Sequence, residues 1–145
     1  MPHLANRVLV PERFNLDDAL FDVPLIPYPG KPIVCMLPGD AKRGEPIIFQ
    51  GREVQLEVPL DVAAKFRPDI GIIAKWKPRL DPDGDYIYPW DEQLREGMLV
   101  AVRPWSGSWY DRSAFDWIPE NRWLHIYGGS DYDWTEHILC EVELT

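Results

Sequence analysis

The chain has few cysteines, no long apolar run and few basic residues in its second half, and each shortage removes a class of protein. Cys35 and Cys140 are the only cysteines among 145 residues, too few for the disulfide scaffold on which small secreted domains depend. One bridge between them is open on the sequence, with two buried thiols as the expectation. No stretch approaches the roughly 20 consecutive apolar residues of a membrane span. Met1 to Val8 lack the basic region and apolar run of a signal peptide. A cytoplasmic protein with no membrane partner is therefore expected. Basic residues number 15 against 24 acidic ones, a formal net charge of -9, which argues against direct nucleic-acid binding through phosphate neutralisation.

Motifs that report a reaction are missing too. No serine sits in a Gly-x-Ser-x-Gly elbow, and Ser106-Gly107-Ser108 reads as a hairpin turn between Trp105 and Trp109. Gly128-Gly129-Ser130 leads into Asp131 and Asp133 instead of a helix carrying a lysine, so it is not a phosphate cradle and reads as an acidic hairpin loop. His137 and Cys140 stand three positions apart, which on a strand turns the two side chains to opposite faces and defeats joint zinc coordination. Carboxylate pairs of the kind glycosidases use arise by chance among so many acids. No cofactor and no catalytic residue is expected.

The composition does support a folded core. With 46% hydrophobic and 12% aromatic residues, one domain spanning 1–145 can bury a core unaided. Fifteen prolines leave no room for a long helix and favour short strands between breakers. Ile33 to Leu37 and Ile70 to Trp76 are apolar runs of strand length closed by turn formers. Pro46 to Gln50 and Glu53 to Val58 read as a hairpin joined at Gly51-Arg52, with Val54, Leu56 and Val58 inward and Glu53, Gln55 and Glu57 outward. Met98 to Arg103 is apolar on both faces and reads as a central strand. Trp123 to Tyr127 and the alternating Ile138 to Leu144 complete the set. Asp61 and Asp91 are candidate caps for short helices over Val62 to Phe66 and Glu92 to Glu96. The fold expected is mainly β, a single-domain antiparallel β-sandwich or partly open β-barrel with one or two short helices.

Charge and indole are distributed unevenly. Up to Leu80 there are 11 basic and 10 acidic residues, a balance of +1, whereas from Asp81 onward there are 4 and 14, a balance of -10. Six of the seven tryptophans lie in this second part. The chain thus divides into a near-neutral part, 1–80, and an acidic, tryptophan-rich part, 81–145. Asp81, Asp83 and Asp85 surround Gly84 and are the one calcium candidate, but the glycine falls one place early for an EF-hand loop and a polar turn explains the pattern without an ion.

The tract from Trp105 to Trp134 is the main functional candidate. Trp, Tyr and Arg dominate binding hot spots because they join large area to a polar tip. Trp105, Trp109 and Trp134 sit beside turn formers and charges, where burial is hard to arrange, and are expected to be exposed contacts. Asp111, Arg112, Asp116, Asp131, Asp133 and Glu136 complete the candidate binding set. The expectation is a non-catalytic acidic binding protein that docks this face onto a basic protein surface. In composition alone it compares with nuclease inhibitors, immunity-type proteins and DNA mimics. The alternative is a carbohydrate or small-molecule binding β-domain that uses exposed tryptophan rings and carboxylates.

Overall fold

The computed structural model describes residues 20–37, 47–49, 51–59, 61–62, 69–104, 106–127 and 133–144. Among these residues there are ten short strands: β1 (Ile33–Met36), β2 (Ile47–Phe49), β3 (Arg52–Val54), β4 (Leu56–Glu57), β5 (Asp69–Lys75), β6 (Leu99–Val102), β7 (Ser108–Tyr110), β8 (Leu124–Ile126), β9 (Ile138–Glu141) and β10 (Glu143–Leu144). Six of them form one sheet in the order β7-β8-β1-β5-β6-β9, antiparallel at every pairing. The sheet is open, with β7 and β9 as its two edges. Two-stranded pieces, β2 with β3 and β4 with β10, complete the strands. No helix among the described residues is long and apolar enough to cross a membrane.

The apolar runs occupy the middle of the sheet for the reason their composition gave. Every residue of β1 and of β6 is buried, as a strand covered on both faces requires. On one face Val34, Met36, Ile73, Val100 and Val102 pack with Tyr127 and Trp134. On the other, Ile33, Cys35 and Leu124 meet Val23 and Ile118, while Ile70, Ile72, Leu99 and Ala101 meet Val54 and Leu56 from the small two-stranded pieces and Val142 from the break between β9 and β10. Burial of each such aliphatic side chain contributes about 1.5–3 kcal/mol.

A hairpin of β2 and β3 forms, but its register differs from the expected one: Phe49 pairs with Arg52 and Ile48 with Glu53, so Arg52 belongs to the strand, and the expected strand from Glu53 to Val58 breaks at Gln55, its second part pairing with β10. The alternation that follows holds, since Val54 and Leu56 are buried and Glu53, Gln55 and Glu57 are exposed. The single C-terminal strand expected from Ile138 to Leu144 divides at Val142. Its first part pairs with β6 across a register shift that passes over Leu139, and its second part pairs with β4.

Three local expectations are corrected. The loop after Tyr127 does not close a hairpin, because β8 lies between β7 and β1 while β9 pairs with β6 at the far edge. Its flanking strands are both apolar enough to enter the sheet, and neither fixes its neighbour locally. Ser106-Gly107 is likewise not a turn between paired strands, because β7 pairs with the later strand β8. Gly107 is needed there for two reasons: its φ is +74°, and a Cβ would lie 2.7 Å from two ring carbons of Tyr127. Finally, Asp91 caps no helix. A 3₁₀ turn runs from Pro89 to Gln93, with proline in its first turn and Asp91 inside it. Asp61 and Val62 are helical, and the rest of that expected helix lies outside the described residues.

The cysteines are both free, Cys35 buried and Cys140 half-buried. Burial, only partly opposed by a backbone hydrogen bond at Phe21 and the charge of Arg122, pushes the Cys35 thiol up to about 11.

Candidate functional site

Asp91 is the centre of the polar architecture on the Trp134 face. Its side chain is fully shielded from solvent, and four donors converge on it. Arg79 contributes its backbone N–H at 3.0 Å, Nε at 2.9 Å and Nη2 at 2.7 Å, and Trp134 donates Nε1–H at 2.8 Å. Arg79 also reaches Asp133, Nη1 to Oδ1, at 2.6 Å. Burial alone would raise the pKa of Asp91, but the hydrogen bonds from Arg79 and Trp134 outweigh it and hold the carboxyl below its usual range. The same opposition lowers Asp133, again through Arg79. The hydrogen bond to Asp91 raises Arg79 in turn.

This knot fixes the chain that follows Arg79. A backbone bridge between Leu80 and Tyr86 closes a small loop, within which Asp81 Oδ1 accepts the N–H groups of Asp83 at 2.9 Å and Asp85 at 3.0 Å. The loop is therefore held by an Asx-type turn, the arrangement that needs no ion. No group of three or more His, Cys, Asp or Glu among the described residues is placed to hold a metal.

Beyond the loop, Tyr86, Ile87, Tyr88 and Trp90 all stand exposed, Ile87 at 55% and Trp90 at 40%. Two of these rings are nevertheless anchored. The Arg79 guanidinium lies 3.9 Å from the Tyr88 ring centroid, Tyr88 and Trp90 are 5.2 Å apart, and Trp90 Nε1 donates to Asp133 Oδ2 at 3.0 Å. The result is a fixed aromatic surface on a stretch of chain that also exposes Asp83, Asp85 and Glu92.

The tract expected to form one face is not exposed throughout. Trp134 is buried, at 3% exposure, which corrects the expectation of an exposed contact. Its indole packs edge-on against Trp76 at 6.1 Å, and the acid that its N–H needs comes from Asp91. Asp133 and exposed Glu136 flank it on the 3₁₀ turn before β9. Trp109 lies in the edge strand β7, and Asp111 and Arg112 follow it. Asp116 is exposed on the loop between β7 and β8. Trp105 and Asp131 lie outside the described residues.

Trp109 itself is exposed, at 42%, and borders a pocket of about 720 Å³ with Asp111, Arg112, Glu120, Arg122 and Trp123. The Trp109 and Trp123 planes are 9° from parallel with centroids 6.4 Å apart. Behind Trp109 lies the fully buried His125, 4.2 Å between centroids. His125 Nδ1 is 2.6 Å from Tyr127 Oη. Burial, helped by the nearby charge of His137, takes His125 down to about 4, and burial raises the Tyr127 phenol. Both rings are therefore neutral at physiological pH. Asp111 accepts from Ser113 through both its hydroxyl and its backbone N–H, and those bonds hold its carboxyl below the usual range.

Comparison with protein families, with curated proteins and with solved structures finds no match. The site is thus read from its own geometry. The residues missed by the sequence reading are Leu80, Tyr86, Ile87, Tyr88 and Trp90. A signal was present: an aromatic run pinned between Asp-Pro-Asp-Gly-Asp and Pro89 is too short to cross a sheet and has turn formers at both ends.

Proposed function

We propose that the protein is a non-catalytic binding protein that docks an acidic, aromatic face onto a basic surface of another protein. The observation that carries this reading is the anchored pair Tyr88 and Trp90, exposed on the same stretch of chain as Asp83, Asp85 and Glu92. Exposed rings held in place before contact lose little rotamer freedom on binding, which is what makes a hot spot strong. The carboxylates of that stretch supply attraction over a Debye length of about 10 Å at 0.1 M salt and steer a basic partner toward the rings. The face therefore lies on residues 80–92, and Trp109 with its neighbours belongs to a separate feature.

The test is parallel capture at low salt on immobilised wild-type protein and on the Tyr88→Ala/Trp90→Ala variant, followed by kinetics with the purified partner. The expected partner is basic, its association slows steeply between low and high salt, and the double variant weakens binding by about 30-fold or more, as hot-spot losses of about 2 kcal/mol imply. Equal retention by the variant, an acidic partner or a salt-independent on-rate would refute the reading.

A further inference from the structure

The pocket beside β7 has a chemistry that differs from that of the loop after Arg79. We propose that it binds the ring of a neutral, hydroxyl-rich ligand, a saccharide. Its volume of about 720 Å³ falls within the roughly 300–1,000 Å³ typical of small-ligand sites.

The aromatic wall is suited to a ring. Trp109 and Trp123 stand nearly parallel, 9° apart in plane, and the apolar C–H face of a pyranose packs on such indole surfaces. Trp109 is also fixed in position. Its ring rests on His125 at 4.2 Å, His125 is held by Tyr127 Oη at 2.6 Å, and Tyr127 in turn stacks on His137 at 5.0 Å. A platform that is exposed yet backed by buried rings needs little ordering when a ligand arrives.

The charged wall selects against ions. Asp111 and Glu120 oppose Arg112 and Arg122 around the pocket, two charges of each sign, so neither a phosphate nor an ammonium ligand gains a net field. A hydroxyl group both donates and accepts, whereas a carboxylate only accepts and a guanidinium only donates. A wall that carries both kinds satisfies neighbouring hydroxyls of one ring. Asp111 is kept ionised by Ser113, and its Oδ1 takes both Ser113 bonds, leaving Oδ2 for a ligand.

The experiment titrates full-length protein with methyl α-glucopyranoside, methyl β-galactopyranoside and N,N′-diacetylchitobiose, read by tryptophan fluorescence and by saturation-transfer NMR. Glucuronate and glucose 6-phosphate serve as anionic comparisons. Saturable binding of at least one neutral saccharide is expected, on the order of millimolar as befits a one-ring site. It should weaken at least fivefold in Trp109→Ala and in Arg112→Ala and stay unchanged in Trp90→Ala. Arg112 is exposed on its loop, so that variant keeps the test sound even if Trp109→Ala fails to fold. Absence of saturable binding by all three neutral probes, tighter binding of either anion, or wild-type affinity in Arg112→Ala overturns the proposal. Protein capture by the loop after Arg79 is a separate measurement, and either result stands or fails without the other.

Discussion

Replacing Asp91 by alanine removes one carboxylate and strands several partners at once. The backbone N–H of Arg79, its guanidinium and the Trp134 indole N–H all lose their acceptor, in a place where the Asp91 side chain has no solvent contact. Hydrogen bonds to a charged group contribute about 1.5–3 kcal/mol each, so four of them overstate the loss if simply added. The variant no longer has to bury a carboxylate, and Arg79 keeps Asp133 at 2.6 Å. Breaking one side of a buried pair typically costs about 3–5 kcal/mol, and that is the loss expected here. For a chain of this size it corresponds to a fall in Tm of about 10–15 °C, measured by thermal unfolding followed by near-ultraviolet circular dichroism. The pH dependence checks the same carboxylate. Its folded pKa is depressed below the unfolded value of about 3.9, so its stabilisation is present above that value and is lost as pH falls from about 5 through 4 and below. Asp91→Asn should flatten this acid limb. A Tm for Asp91→Ala within about 2 °C of wild type, or an unchanged acid limb in Asp91→Asn, would refute the reasoning.

Three further outcomes follow from the core. Gly71→Ala would place a Cβ 2.5 Å from Val34 Cγ1 and 2.9 Å from the carbonyl oxygen of Cys35. A backbone atom cannot move aside, so a loss of about 3 kcal/mol is expected in denaturant unfolding. His125, held near 4 in the fold against an unfolded value of about 6.5, remains neutral while the unfolded chain takes up a proton. Stability should therefore fall as pH drops from 6.5 to 4, by at most about 3 kcal/mol, and His125→Gln should remove most of that slope. Cys35, buried and with its thiol near 11, should resist iodoacetamide at neutral pH in the native protein, while half-buried Cys140 reacts first, as peptide mapping of the alkylated sites would show.

The strands were legible because each was written locally. Ile33–Met36 and Leu99–Val102 are unbroken apolar runs bounded by proline or glycine, and only a doubly covered strand stabilises such a run. The alternation at Glu53 to Glu57 showed its wet face directly. The site was less legible, because exposure of an aromatic ring is set by groups far along the chain. Trp134 looked exposed beside its acidic neighbours, yet the partner of its indole N–H is Asp91, 43 positions earlier. Trp90 reads as one more tryptophan until Asp133, also 43 positions away, is seen to hold its N–H while leaving its face open. The charge count misled in the same way: Arg79 belongs to the near-neutral part but pairs with both Asp91 and Asp133 of the acidic part.

What the sequence determined by itself was a mainly β chain of short strands with an acidic, indole-bearing second part, since breakers, apolar runs and charge counts are properties of neighbours. Strand order, the burial of Trp134 and the exposure of Trp109, and the anchoring of Tyr88 and Trp90 came only with the tertiary structure. Each depends on which distant groups meet, and a buried indole or carboxylate is stable only where such a partner completes its hydrogen bonds.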